Sequence, residues 1–237
     1  MKGINQMMPY YGGKRRLAPK YPKPEYPLII EPFAGGAGYS HLYSDRWIYL
    51  YDLDANTAAA WEWLINATAE DIEALPQLFT KGDRMPDSVT GGARVVLGAW
   101  LRPGSAGSVP VTRGSLERSW SPAIVERLKR QLPAIRHWKM WRSSYERIPN
   151  NRATWFVDPP YQDKGSYYRH SSKDIDFDHL AQWCLSRKGQ VIVCENEGAN
   201  WLPFVPFCDL VGGYDPSKGA NRKSKEVVCY IQDGEIT

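Results

Sequence analysis

The sequence predicts an α/β fold, a doubly wound and largely parallel sheet closed by a terminal antiparallel hairpin and interrupted by a mostly helical insert. Three observations carry this. Short apolar runs rich in β-branched and aromatic residues recur at 28–31, 48–52, 154–157 and 190–194, each of strand length. Segments with helical spacing, such as 55–67 and 176–187, alternate with them, and that alternation builds parallel sheets. The chain then closes on two further runs, 206–211 and 226–231, joined by a basic linker with Lys218, Arg222, Lys223 and Lys225.

Composition narrows the classes open to the chain. Its 237 residues suffice for one large domain or two small ones. A mix of 43% hydrophobic and 24% charged residues is that of a folded globular protein rather than a disordered one. Ten Trp and fourteen Tyr exceed what a core of this size needs, so some are expected to stack on a ligand or partner. The net charge of +4 allows a polyanionic partner without demanding one. Cys184, Cys194, Cys208 and Cys229 form no CxxC pair and read as reduced, mostly buried thiols rather than a metal cluster or disulfide frame. The N-terminus is polar and no apolar run is long enough to span a bilayer, so a soluble cytoplasmic protein without membrane association is expected.

Taken in order, the chain begins with Tyr10-Tyr11-Gly12-Gly13-Lys14-Arg15-Arg16, an aromatic pair, two glycines and three cations. Such a segment can wrap a ligand, or it can be a basic tail. The first strand runs into Pro32-Phe33-Ala34-Gly35-Gly36-Ala37-Gly38. A strand, a glycine-rich turn and then a helix is the layout of nucleotide-type cofactor sites, because glycines let the backbone approach the ligand closely. The spacing is neither the dinucleotide fingerprint nor a Walker loop. The second strand ends in Asp52, where a ribose-binding acid falls in such folds. Asp54 is placed to cap the helix over 55–67, and Thr68-Ala69-Glu70-Asp71 has the form of a capping box. Residues 68–135 differ in character, with helices flanking a Gly/Ser/Pro-rich loop that carries Arg102, Arg113 and Arg118. Spaced arginines suit phosphates or base edges, and a solvated surface loop is the rival reading. Ser121-Pro122 starts another helix, with Ser as cap and Pro in the first turn. Strands are expected over 137–141 and 154–157, either side of Ser143-Ser144-Tyr145-Glu146-Arg147.

The stretch Trp155-Phe156-Val157-Asp158-Pro159-Pro160-Tyr161 is the most informative. A buried strand must stop at two prolines, and each proline stiffens the residue before it. Asp158, Pro159, Pro160 and Tyr161 therefore project a carboxylate, rigid carbonyls and a ring from a strand end, where open α/β sheets bind ligands. The ring can stack on a planar base, while the acid and carbonyls accept hydrogen bonds from an exocyclic amine. Taken alone, a Pro-rich turn with a solvated Asp fits equally well. Beyond it, Tyr167-Tyr168-Arg169-His170 is an aromatic, basic loop suited to nucleic acid. His41, His137, His170 and His179 show no metal spacing and no Ser-His-Asp or Cys-His grouping emerges, so no metal is expected.

Together the stretches Tyr10-Tyr11-Gly12-Gly13-Lys14, Glu31-Pro32-Phe33-Ala34-Gly35-Gly36-Ala37-Gly38, Tyr51-Asp52 and Asp158-Pro159-Pro160-Tyr161 resemble the motifs of the Dam-like adenine-specific DNA methyltransferases. Four motifs in one order are more specific than any one of them. The likeness spans nearly the whole chain and is weakest over 68–135. The glycine loop has one residue more than the family's usual Phe-x-Gly-x-Gly, Tyr10 stands where tryptophan is common, and Ser144-Tyr145 replaces an acid followed by an aromatic. The resemblance implies a Rossmann-like sheet of the S-adenosylmethionine-dependent methyltransferase type. Residues 1–67 and 136–237 would form its catalytic domain, and 68–135 an inserted target-recognition region.

The implied reaction moves a methyl group from S-adenosylmethionine to the N6 amino group of an adenine flipped out of double-stranded DNA. Asp158 and Pro159 would hydrogen-bond the amine, Pro160 would stiffen the tip, and Tyr161 would stack on the base. Tyr10, Lys14, Glu31, Phe33, Ala34, Gly35, Gly36, Asp52, Tyr145 and Asp158 would hold the cofactor. Arg102, Arg113, Arg118 and Tyr168 would contact DNA, with Lys218, Arg222 and Lys223 on phosphates. A monomer in a bacterial cell, host- or virus-encoded, fits the family, with or without a companion restriction enzyme. Two rivals stay open: methylation of an RNA or protein amide by the same fold, whose relatives usually carry Asn in place of Asp158, and a non-catalytic DNA-binding relative.

Overall fold

The structure is a computed structural model that describes residues 3–79, 82–101, 120–163, 170–215 and 220–237, with side chains at 210–215 and 220–224 outside the description. The chain is mixed α/β and divides into two compact units, Met1–Tyr21 with Ala34–Ser144, and Pro22–Phe33 with Tyr145–Thr237. Its strands are β1 (Leu28–Glu31), β2 (Trp47–Asp52), β3 (Lys139–Arg142), β4 (Ala153–Val157), β5 (Gly189–Asn196), β6 (Val205–Asp215), β7 (Ala220–Gln232) and β8 (Glu235–Ile236). Its described helices are α1 (Ala55–Asn66), α2 (Ala69–Glu73), α3 (Gly91–Leu101), α4 (Pro122–Gln131) and α5 (Phe177–Leu185).

In the first unit β2 and β3 pair in parallel, with Tyr49 opposite Lys139 and Asp52 opposite Arg142. Asp54 caps α1 as the sequence predicts, its side chain accepting a hydrogen bond from Asn56 N–H. The helix buries Trp61 and Leu64 completely. Trp61 lies 5.6 Å from Trp138, and the His41 ring lies 5.8 Å from each. The predicted capping box at Thr68 and Asp71 opens α2, whereas the Ser121 hydroxyl makes no capping bond ahead of α4. Helices α3 and α4 also grip the N-terminal segment. Trp100 Nε1 donates to Met7 O at 3.0 Å, Arg127 to Gln6 O at 3.1 Å, and the Gln131 side chain both accepts from and donates to the Asn5 backbone.

α3 crosses α1 at Gly92, where a Cβ would lie 2.0 Å from Ala59 O. No side chain fits against backbone at that distance, so Gly92→Ala must push the helices apart. Overpacking of this kind costs on the order of 2 kcal/mol. The expected result is a lower urea midpoint with an unaltered slope; an unchanged midpoint would mean the crossing relaxes at no cost.

In the second unit β4 lies between β1 and β5, parallel to both. β7 pairs antiparallel with β5 on one side and with β6 on the other, and β8 continues antiparallel from β7. The order β1-β4-β5-β7-β6 thus contains the expected terminal antiparallel hairpin. Every residue of β4 and β5 is buried, which is why both read as continuous apolar runs rather than alternating ones. α5 is capped by Asp176, whose side chain accepts from His179 N–H. It packs Trp183 edge-on to Trp155, ring centres 5.5 Å apart.

Some expectations change. The helix expected after the glycine turn is only a 3-10 turn, Ser40–Tyr43. Gly35 and Ala37 both take positive φ, 44° and 48°, which turns the chain off a helical path. The linker expected to carry Arg222, Lys223 and Lys225 belongs to β7, whose pairing with β6 extends to Asp215 opposite Ala220. Cross-strand pairing has overridden a polar composition there. The strand expected over 137–141 starts at Lys139, because Trp138 N–H closes a turn onto Ile135 O and its ring is buried. The tryptophans mostly fill the core: Trp61, Trp100, Trp120, Trp138, Trp155, Trp183 and Trp201 are all buried. Cys184, Cys194 and Cys229 are buried free thiols, as expected, and Cys208 is half-buried.

Candidate functional site

The first unit gathers Tyr10, Lys14, Ala34, Gly35, Gly36 and Asp52 around one turn. Asp52 Oδ2 accepts from Gly35 N–H and Oδ1 from Asp54 N–H, both at 2.9 Å. Ala34 N–H donates to Tyr51 O, and Trp61 Nε1 donates to Gly35 O at 2.8 Å. Gly35 sits at φ +44°, a left-handed conformation that a Cβ disfavours. A Cβ there would also lie 2.9 Å from Tyr10 Cε1, and one at Gly36 would lie 2.8 Å from Tyr10 Cβ. These glycines thus permit the close approach of Tyr10 to the turn. At Gly38 a Cβ would meet Arg15 N at 2.7 Å, so the backbone of the basic segment also packs on the turn. Lys14 is buried, and its ammonium donates to Gly12 O at 3.1 Å. Two motifs distant in sequence thus form one local structure.

His41 locks that structure. Its Nε2 accepts from Met7 N–H at 3.1 Å and its Nδ1–H donates to Ala37 O, so one neutral tautomer ties the N-terminal segment to the glycine turn. Burial above all pushes His41 down to about 4, with the charges of Arg15 and Arg127 adding to the fall.

The second unit carries the acid–proline–proline–tyrosine tip. β4 ends at Val157, Asp158 follows half-buried, Pro159 is buried, and Pro160 and Tyr161 are half-buried. β1 ends in buried Glu31, and β5 carries Glu195, which is 0% exposed. Each of the three parallel strands therefore brings an acid to its carboxyl end. Glu195 Oε2 accepts from Gln162 N–H at 3.0 Å and from Trp201 Nε1 at 3.1 Å, while Oε1 accepts from Asn196 N–H at 2.8 Å. Burial pushes Glu195 up to about 7 against these three donors, and the nearby charge of Asp158 adds to the rise. The Tyr161 hydroxyl donates to Glu226 Oε2 on β7.

Phe33 and Tyr145 meet with ring centres 5.6 Å apart. Tyr145 Oη shares a 2.8 Å hydrogen bond with His179 Nδ1, and its ring packs edge-on to Trp183. Burial, with the charges of Glu146 and Asp176 next, pushes Tyr145 up to about 12, so it keeps its proton at neutral pH. A groove of about 600 Å³ runs along β6 and β7, lined by Phe204, Phe207, Asp209, Lys225 and Glu226 among others. Lys225 is paired with Glu197 at 2.9 Å.

Of the DNA-contact candidates, Arg102, Arg113, Arg118, Tyr168 and Lys218 lie outside the described residues. Arg222 and Lys223 lie on β7 with side chains outside the description. Sequence reasoning missed Glu195, Glu226 and Trp201, and left His41 as a structural or surface histidine, which its buried place between Met7 and Ala37 bears out. For Glu195 a signal existed, since it closes an apolar run as Glu31 and Asp52 do; Glu226 gave none. Among the described residues no helix is long and apolar enough to cross a membrane, and no group of three or more His, Cys, Asp or Glu could hold a metal ion.

No family model matches the chain, and no curated protein matches it. Among solved structures, a protein of Streptococcus pyogenes described as a conserved hypothetical protein aligns over 91% of each chain, at 12% identity and a TM-score of 0.36.

Proposed function

We propose that the protein methylates the N6 amino group of adenine in double-stranded DNA, with S-adenosylmethionine as the methyl donor. The observation that supports this most is the placement of Asp158-Pro159-Pro160-Tyr161 at the carboxyl end of β4, the middle one of three parallel strands in its unit. In open α/β sheets that end is where ligands bind. The antiparallel β7 between β5 and β6 agrees with the fold the resemblance implies.

The residues present fit a nucleoside-type cofactor. Asp52 is an acceptor for ribose hydroxyls beside a glycine turn, and Tyr10 is a half-exposed ring for its planar part. When bound, the cofactor supplies a methyl carbon already made electrophilic by its sulfonium, so no metal or covalent enzyme adduct is needed. The obstacle is the adenine amine, whose lone pair is delocalised into the ring. Hydrogen bonds from that amine to the Asp158 carboxylate and the Pro159 carbonyl favour a more tetrahedral nitrogen and aim its lone pair. Such positioning supplies several kcal/mol of the barrier. Formation of the N–C bond would leave the electron pair of the broken S–C bond on sulfur as a neutral thioether, and the surplus amine proton would pass to water. Extruding the base costs a few kcal/mol, which stacking on Tyr161 offsets in part.

The test incubates purified protein with methyl-labelled S-adenosylmethionine and unmethylated genomic DNA, then identifies the labelled nucleoside. The expected product is N6-methyladenine. Label on cytosine would overturn the base, label on RNA or protein but not on DNA would overturn the substrate, and cofactor binding without any transfer would overturn the enzymatic reading.

A further inference from the structure

The tip is held at both ends, and only one hold is explained by the strand it follows. Asp158 continues from β4, but Tyr161 and Gln162 are fixed by two carboxylates on neighbouring strands. Gln162 N–H donates to Glu195 on β5 at 3.0 Å, and the Tyr161 hydroxyl donates to Glu226 on β7. The two acids are nearly level, since Asn196 is the register partner of Glu226 across the β5–β7 pair. Glu195 is 0% exposed and Glu226 is 5% exposed. Burying a carboxyl group is costly unless its oxygens are hydrogen-bonded. Glu195 accepts three N–H donors spread over both oxygens, two of them to one oxygen. An amide there could not accept on both ends, so at least one donor would be stranded.

We propose that Glu195 and Glu226 are positioning residues that hold Tyr161 and Gln162, and through them set the aim of the Asp158 carboxylate and the Tyr161 ring at the acceptor base. This rests on the methyltransferase reading above and deepens it: the two acids touch neither base nor cofactor and act through the tip. Tyr161 then has two functions, its ring face toward the base and its hydroxyl as an anchor.

The experiment uses the full chain and measures kcat and KM for transfer to DNA, with cofactor Kd measured separately without DNA. Glu195→Gln is expected to lower kcat about ten- to a hundredfold while leaving cofactor Kd within about twofold. Tyr161→Phe and Glu226→Leu break one bond from opposite ends. Each is expected to lower kcat several-fold, and the double variant no further than the worse single one, because both remove the same interaction. Additive losses, or unchanged kcat in folded variants, would overturn the clamp. Should Glu195→Gln fail to fold, the Tyr161–Glu226 cycle decides alone. An active wild type with unaffected variants sinks the clamp and spares the reading beneath it; a wild type that transfers no methyl group to adenine sinks both.

Discussion

Asp158→Ala is expected to lower methyl transfer about a hundred- to a thousandfold while the protein stays folded and binds cofactor. The magnitude is that of removing one preorganised group aimed at charge that develops in the transition state. The direction follows from chemistry. The adenine amine is a poor nucleophile until its lone pair is drawn out of the ring, and Asp158 is the one carboxylate of the tip that can accept its N–H. Folding should survive because the apolar contribution of this segment comes from β4, buried at every position, and not from a half-buried acid just beyond it. Burial is the chief cause of the raised Glu195 and the Asp158 charge only adds to it, so the variant should carry a Glu195 titration somewhat lower but still above the ordinary carboxylate range. Asp158→Asn is the sharper probe, since it keeps volume but replaces half the acceptor with a donor. Rates within about threefold of wild type in either variant, with circular dichroism unchanged, would remove Asp158 from the chemistry.

Legibility in the sequence followed the physics of each element. The strands were readable because β4 and β5 are buried on both faces, which forces continuous apolar runs. Asp54 and Thr68 were readable as helix starts because capping depends largely on local chemistry, although Ser121, read the same way, makes no capping bond. The glycine turn was legible as a tight backbone path, but not its occupant, because nothing in the local pattern of Gly35 says that Tyr10 packs on it. Residues 220–225 misled for the opposite reason: their strand state comes from pairing with β6, a partner their own polarity does not advertise. The aromatic surplus misled because a Trp-rich core and a Trp-rich binding face have the same composition. Glu195 and Glu226 show the limit most plainly. Both acids are buried, and only the fold reveals that they answer donors on the tip after β4.

His41→Gln is expected to change how stability depends on pH more than it changes stability at neutral pH. Folded His41 is pushed down from 6.5 to about 4, chiefly by burial. Between those values the unfolded chain takes up a proton that the folded chain refuses, so stability is complete above pH 6.5 and is lost as pH falls toward 4. One proton is worth about 1.4 kcal/mol per pH unit, or about 3 kcal/mol across the window. The geometry gives the refusal a cause: a proton on Nε2 would set it against the Met7 N–H that it now accepts. Glu195 has the opposite sign. Its folded value lies near 7 against an ordinary 4.5, so the folded chain keeps a proton that the unfolded one releases. Its contribution is full below pH 4.5 and is lost as pH rises through 7. The two slopes overlap and largely cancel in the wild type between pH 4.5 and 6.5. Removing His41 should leave a protein that weakens as pH rises through this window, and Glu195→Gln one that weakens as pH falls. Urea unfolding at half-unit pH steps, followed by tryptophan fluorescence, separates them. A His41→Gln variant that keeps the wild-type pH profile would show that this histidine is not the group that refuses the proton, and with it would go the locked tautomer that ties the N-terminal segment to the glycine turn.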